Sequence, residues 1–160
     1  MFLDQQTFST VIKSSPLVSI DLVVINQNGQ ALLGQRLNRP AKGFWFVPGG
    51  RILKNESLAS AFKRLTHDEL GTEFAIEQAT LQGPYDHFYN DNVFGEEFST
   101  HYVAISFVIK LTQPLSNLPM DVQHNGYKWF EINDLLNDTA VHKHTKWYFE
   151  SLSNNISVEL

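Results

Sequence analysis

Residues 49–71 read GGRILKNESLASAFKRLTHDELG, and this stretch decides the fold class. Its second half repeats apolar residues at three- and four-residue steps, the spacing of one face of an α-helix. The residues on that face are Leu58, Ala61, Phe62 and Leu65. Gly71 follows the last of these turns, at the position where glycine commonly ends a helix. The stretch therefore predicts a glycine-rich break followed by an amphipathic helix.

Glu69 stands on the apolar face of this predicted helix, four residues after Leu65. Burial of an ionised carboxylate is costly unless the group is paired or bound to a metal. We therefore expect Glu69 to meet a cation, unless the last turn is open to solvent. Arg64 and Asp68 are four residues apart on a neighbouring face, and we expect them to pair with each other.

The segments around this stretch predict strands with helices outside them. A helix capped by Asp4 should run to about Ser14, and a buried strand should follow over residues 17–25. Asn28-Gly29 is a two-residue hairpin signal, with a returning strand at 30–36. Further strands are expected at 44–47, 80–85, 101–111 and 127–132, with a last helix at about 141–152. This order predicts an α/β (α+β) sandwich.

Composition narrows the class of protein. The chain has 160 residues, 42% of them hydrophobic and 18% charged, which is typical of a folded domain, and we expect one domain over 1–160. The formal net charge of -5 argues against a general affinity for nucleic acid, because phosphate backbones attract clustered Lys and Arg. Cysteine is absent, and no apolar run is long enough to cross a bilayer. We expect a cytoplasmic protein without membrane contact.

Five residues of the stretch have the spacing of the Nudix box. They are Gly50, Glu56, Arg64, Glu69 and Gly71. The chain therefore resembles the Nudix family, which implies an α/β/α sandwich with a mixed β-sheet flanked by helices. Two residues depart from the usual box: Leu65 replaces a glutamate, and Asp68 stands where another glutamate is common. These departures imply fewer metal ions than most Nudix enzymes bind.

Within that family, the chain resembles the GDP-mannose mannosyl hydrolases over nearly its full length. The matching segments are Met1-Phe2-Leu3, Asn38-Arg39-Pro40, residues 44–50 and Gln123-His124. The resemblance implies that water attacks the anomeric carbon of GDP-mannose and releases GDP and mannose with inversion. GDP-glucose is a second candidate substrate. One Mg²⁺ per subunit, replaceable by Mn²⁺, and a homodimer are also implied.

The same resemblance assigns the ligands of the metal. They are the Gly49 carbonyl, the Glu69 carboxylate and the Gln123 side-chain oxygen, and such oxygen ligands suit Mg²⁺. Arg36, Arg51 and Arg64 are candidates to neutralise the departing diphosphate, although Arg64 also fits a purely structural role.

The remaining site residues are assigned as follows. His124 is our candidate base, since imidazole accepts protons near neutral pH, and the resemblance assigns His87 and Tyr102 to the leaving group. Asp21 interrupts an apolar strand, so we expect a buried partner or a sugar hydroxyl beside it. Phe2, Leu3 and Phe8 fit either the core of the first helix or, by the resemblance, a contact with the nucleotide base.

Two other functions stay open. A conventional Nudix diphosphatase would cleave a phosphorus–oxygen bond, and Leu65 argues against that reaction. A noncatalytic nucleotide-sugar sensor would bind without turnover.

Overall fold

The computed structural model describes residues 2–119 and 124–158. The helices are α1 (Gln5–Ser14), α2 (Leu58–Leu70), α3 (Ile132–Asn137) and α4 (Lys143–Val158), with a short 3₁₀ helix at Ile76–Gln78. The strands are β1 (Leu17–Ile25), β2 (Ala31–Arg36), β3 (Trp45–Phe46), β4 (Gly49–Arg51), β5 (Thr80–Tyr89), β6 (Thr100–Lys110) and β7 (His124–Phe130).

The strands form one mixed sheet, as predicted. Its main order is β3-β2-β1-β6-β5, with β4 paired to β1 and β7 paired to β2. The β1–β6 pair is parallel, and the neighbouring β1–β2 and β5–β6 pairs are antiparallel. Each strand that borders the cleft described in the next subsection therefore pairs with β1 or with a strand that pairs with β1.

Helices cover both faces of the sheet, because successive side chains of β1 point to opposite faces. Leu22 belongs to a core cluster that includes Phe62 of α2. Val23, the next residue, belongs to a second cluster that includes Phe149 of α4. The α/β/α sandwich predicted from the sequence is confirmed.

The predicted ends of the first two helices are also confirmed. The Asp4 side chain caps α1 by accepting a hydrogen bond from the Thr7 N–H at 2.8 Å. Gly71 ends α2 with a φ of 69°, a left-handed conformation that costs glycine little. Among the helices that the structure describes, none has the length and apolar character of a membrane span.

The Pro48-Gly49-Gly50 break is shorter than predicted. Gly49 and Gly50 lie in β4, where Asp21 faces Gly49 in the antiparallel register with β1. A Cβ on Gly49 would collide with the backbone oxygen of Ile20. Glycine here serves a close approach of two strands, and it thereby brings the start of the box against β1.

Other boundaries differ modestly. The first hairpin has a three-residue loop rather than two, because the Asn26 N–H donates to the Gln30 carbonyl at 2.9 Å. β5 continues to Tyr89, beyond the predicted end, because it stays paired with β6 as far as Thr100. α3 was not predicted, and α4 starts after Val141, which forms a bridge with Trp45 instead.

Candidate active site

A cleft opens beside β1 at the box end of the sheet. It is lined by Ser19, Asp21, Arg36, Pro40, Phe46, Val47, Gly49, Gly50, Arg51, His87, Tyr89 and Tyr102. Six predicted site residues meet here, and they come from five different strands: Asp21, Arg36, Gly49, Arg51, His87 and Tyr102. Tyr89 was missed, although it lies two residues after His87 and so on the same side of β5.

Asp21 has the buried partner expected from its place in an apolar strand. The Tyr148 hydroxyl of α4 donates to Asp21 Oδ2 at 2.5 Å. Burial raises the pKa of Asp21 to about 6, although the Tyr148 hydrogen bond and the charge of Arg36 act in the opposite direction. The carboxylate is therefore mostly ionised at pH 7 and can accept a further hydrogen bond in the cleft.

His87 lines the cleft and is 3% exposed. Its Nε2 is 3.2 Å from the Tyr148 hydroxyl, and its ring stacks on His144 with centroids 4.3 Å apart. Burial lowers the pKa of His87 to about 4, with a smaller contribution from His142. His87 is thus neutral at pH 7. Sequence reasoning missed His142, His144 and Tyr148, because they are distant in the chain.

Arg36 and Arg51 are held beside the cleft by different contacts. Arg36 Nε donates to the Pro40 carbonyl at 2.9 Å, and the Arg51 guanidinium lies 4.6 Å from the Phe8 ring centroid. Burial raises the pKa of Tyr102, and the charges of Arg36 and Arg51 both oppose that rise. The two cations therefore act together near the Tyr102 hydroxyl.

Arg64 forms the predicted ion pair with Asp68, but it has a closer partner that was not predicted. Its Nε donates to Glu56 Oε2 at 2.7 Å and its Nη2 to Glu56 Oε1 at 2.9 Å. The predicted partner, Asp68, is 3.9 Å away. Arg64 Nη2 also donates to the Arg51 carbonyl at 3.0 Å. Glu56 reaches both guanidinium nitrogens, so the expected Arg64–Asp68 pair is secondary, and Arg64 is committed to backbone and side-chain contacts.

Glu69 is turned inward, as its helical position predicted, and is 3% exposed. The Tyr127 hydroxyl lies 2.8 Å from the Glu69 carbonyl and 3.2 Å from its Oε2. Leu65, one turn earlier, packs against β4, since a Cβ on Gly50 would lie 2.6 Å from Leu65 Cδ2. The face of α2 that carries Glu69 therefore rests on the strand that contains Gly49.

Gly49 fits the carbonyl ligand that the resemblance implies. The N–H groups of Leu22 and Ile52 donate to the carbonyls of Pro48 and Val18, each at 2.8 Å. Hydrogen-bonded pairs alternate along antiparallel strands, so the Gly49 carbonyl points away from β1. It and the Glu69 carboxylate are oxygen donors, the type that Mg²⁺ prefers. Residues 2–119 and 124–158 contain no group of three or more His, Asp or Glu side chains that could hold a metal ion by themselves.

The other predicted residues have varied positions. Gln123 lies outside the described residues, and the backbone of His124 pairs with Arg36 in the β2–β7 register. Phe2 is 93% exposed, so it is not a core residue. Phe8 packs edge-on against Phe94 at 6.0 Å, below the Arg51 guanidinium.

Comparison with known proteins defines the class. A family model of the NUDIX domain matches residues 15–151. The low-salt glycan biosynthesis protein Agl8 of Haloferax volcanii is 42% identical over 124 residues, which cover 78% of this chain and 76% of that protein. The chain therefore belongs to the Nudix family, whose members are hydrolases that act on nucleotide-derived substrates and generally use a divalent metal such as Mg²⁺.

Solved structures agree on the fold. A MutT NUDIX hydrolase from Burkholderia pseudomallei superposes with a TM-score of 0.67 at 27% identity, covering 86% of this chain and 98% of that one. The NUDIX domain of Shewanella oneidensis NrtR, complexed with ADP ribose, superposes with a TM-score of 0.68 at 16% identity. That comparison covers 97% of this chain and 99% of the other, so the whole sandwich is shared.

Proposed function

We propose that this Nudix hydrolase cleaves GDP-mannose, with GDP-glucose as a second substrate, to GDP and the free sugar. Water attacks the anomeric carbon with inversion, and one Mg²⁺ or Mn²⁺ per subunit is required. The similarity to a glycan biosynthesis protein is in keeping with a sugar substrate.

The observation that carries this proposal is the environment of three box positions on α2. Leu65 is buried in the core beneath β4, and the Asp68 side chain is 54% exposed and directed outward. Glu69 alone of these three presents a carboxylate to the interior. Displacement at phosphorus commonly uses two metal ions that hold the attacking and leaving oxygens. One carboxylate ligand suits a single ion that only neutralises a leaving group.

The cleft offers the groups that departure of GDP from carbon needs. Bound Mg²⁺ would supply charge neutralisation of the diphosphate, with Gly49, Glu69 and Gln123 as its protein ligands. Arg36 and Arg51 add positive charge beside Tyr102, and we assign Tyr102 to donate a hydrogen bond to the same leaving group.

Inversion also requires a base that deprotonates water on the sugar face opposite the leaving group. We assign this role to His124. Its support is the register of β7, which sets His124 directly across from Arg36 at the cleft end of the sheet. Phe2, Leu3 and Phe8 are assigned to the guanine base, across the interface of a homodimer, and the high exposure of Phe2 is in keeping with that assignment.

Hydrolysis in oxygen-18 water tests the proposal. The protein is incubated with Mg²⁺ and GDP-mannose, with a parallel sample in excess chelator, and the products are analysed by mass spectrometry. We expect label in mannose, none in GDP, and no reaction with chelator. Label in GMP or mannose 1-phosphate would instead identify a conventional diphosphatase, and saturable binding without products would identify a sensor.

A further inference from the structure

Tyr148 joins two cleft residues from the far side of the sheet. It lies in α4 and is fully buried, and its hydroxyl contacts Asp21 Oδ2 at 2.5 Å and His87 Nε2 at 3.2 Å. Its ring meets Tyr85 edge-on at 4.8 Å, and Gln82 Nε2 donates to its carbonyl at 2.8 Å. Ring and backbone are both anchored, so the hydroxyl has one position.

The single hydroxyl proton of Tyr148 decides how His87 is protonated. A separation of 2.5 Å is typical of a charge-assisted O–H···O⁻ bond, so the proton lies toward the Asp21 carboxylate. The Tyr148 oxygen then presents a lone pair to His87 Nε2, which must carry a hydrogen to bond with it. A neutral imidazole protonated at Nε2 has an unprotonated Nδ1, which is an acceptor.

The accepting nitrogen of His87 is the one open to the cleft. His87 Nδ1 has no hydrogen bond to any residue in the described part of the chain. In the described part of the chain, the buried side-chain nitrogen or oxygen that lacks a hydrogen-bond partner is His144 Nδ1, and His87 Nδ1 is not such an atom. The stack of His87 on His144, with planes 10° apart, fixes the ring plane. Nδ1 of His87 is therefore free to meet a ligand.

We infer that Tyr148 is a positioning residue, which holds His87 as the Nε2–H tautomer. Nδ1 of His87 then accepts a hydrogen bond from a hydroxyl of the hexose unit of the ligand, not of its ribose. The inference rests on the proposed function in that it takes the ligand to be a nucleotide sugar. Diphosphate oxygens are acceptors and have no proton to offer Nδ1, whereas sugar hydroxyls donate. His87 thus contacts the sugar, which differs from the leaving-group role that the family resemblance implies.

The tautomer of His87 is measured directly in protein labelled with ¹⁵N-histidine, by long-range ¹H–¹⁵N correlation at pH 7.5 without substrate. We expect the Nε2–H form in the parent and a mixture of both tautomers in Tyr148→Phe, which keeps the ring and removes the hydroxyl. Tyr85→Phe is the matched control, because that ring touches Tyr148 and its hydroxyl has no bond to Asp21 or His87. It should retain the parent tautomer.

Binding separates positioning from a structural role. With Mg²⁺ present, Tyr148→Phe should weaken GDP-mannose by about tenfold, the cost of roughly one hydrogen bond, and leave the affinity for GDP unchanged. Equal losses for both ligands, or an Nδ1–H tautomer in the parent, would overturn the inference. The parent tautomer decides the matter even if Tyr148→Phe does not fold. An Nε2–H parent that binds but never hydrolyses GDP-mannose would contradict the proposed function alone.

Discussion

Leu65, Asp68 and Glu69 lie within five positions of α2 and have three different environments. The helix rotates about 100° per residue, so Leu65 and Glu69 share a face while Asp68 is turned away from it. Leu65 fills the space beneath Gly50, and Asp68 contacts His67 at 3.2 Å on the surface. The rotation of one helix therefore decides which box carboxylate faces the interior, where the metal site is proposed.

Replacement of Glu69 by Gln removes the negative charge and keeps the shape of the side chain. We expect metal affinity and turnover to fall by about a hundredfold or more, since even supporting groups of metal ligands cost about 10- to 100-fold. The measurement is initial rate against Mg²⁺ concentration. Asp68→Asn, the same chemical change on the exposed neighbour, should remain close to the parent. Near-parent turnover of Glu69→Gln at limiting Mg²⁺ would assign Glu69 a structural role.

At the scale of elements, one ion pair fastens the loop between β4 and α2. Glu56 Oε1 accepts from the Leu53 N–H at 3.0 Å and from Arg64 at 2.9 Å. The same guanidinium reaches the Arg51 carbonyl at the end of β4. The pair therefore holds the strand that carries Gly49 against the helix that carries Glu69, and so sets the spacing of the two proposed metal ligands.

This pair gives a pH-dependent contribution to stability. The Arg64 hydrogen bond lowers the pKa of Glu56, so the contribution is complete above the unfolded-state value near 4.3 and is lost as pH falls through the folded-state value. We expect Glu56→Gln to lower the free energy of unfolding by about 1 to 2 kcal/mol at pH 7. In urea titrations that difference should shrink below about pH 4.

The control for this experiment is Glu73→Gln. Glu73 pairs with Lys63 at 3.2 Å, but both side chains are mostly exposed, and exposed pairs contribute little. The loss of unfolding free energy in Glu56→Gln could stay constant from pH 7 to pH 3, or could match that of Glu73→Gln. Either result would argue against a stabilising role of the Glu56–Arg64 pair.

For the whole molecule, a layer of histidines joins α4 and the segment before it to the sheet. His144 packs between His87 of β5 and Trp147 of α4, and His142 stacks on Phe46 of β3. Burial lowers the pKa of His87 and His142 to about 4 and that of His144 to about 3. All three are thus neutral in the folded protein at pH 7.

These histidines should make the fold sensitive to acid. Their folded pKa values lie below the ordinary 6.5, so the unfolded chain binds protons that the folded chain does not as pH falls from 6.5 toward 4. Asp21 has the opposite effect on stability. Because its pKa is raised to about 6 in the folded chain, the folded chain binds this proton before the unfolded chain does as pH falls from 6 to 4. His144→Phe removes one of these histidines. The free energy of unfolding of the variant minus that of the parent should therefore be about 2 kcal/mol larger at pH 5 than at pH 7.5.

Urea unfolding at several pH values measures this difference. His67→Gln is the control, since the His67 side chain is 68% exposed, and its difference in stability from the parent should stay small compared with that of His144→Phe. Parallel pH dependence of His144→Phe and the parent would mean that His144 is not held neutral by the fold.

Local patterns were enough to predict most of the helices and strands of this fold, although α3 and β4 were missed. Apolar periodicity correctly predicted the inward carboxylate of Glu69, because a helix repeats its faces at a fixed step. The largely apolar segment Leu17–Ile25, which Ser19 and Asp21 interrupt, likewise predicted a buried strand. The span of Gly49–Arg51 was beyond such reasoning, since glycines signal a turn unless the neighbouring strand is known.

The sequence by itself thus determined the sandwich, the Nudix box and half of the residues that line the cleft, because those depend on spacing within short segments and on family resemblance. Only the tertiary structure decided that Glu56 lies closer to Arg64 than the predicted partner Asp68 does, and that Tyr148 joins Asp21 and His87. Tyr148 is 127 positions from Asp21 and 61 from His87. Periodicity shows which face of a segment is apolar, but which distant segment covers that face depends on packing of the whole chain.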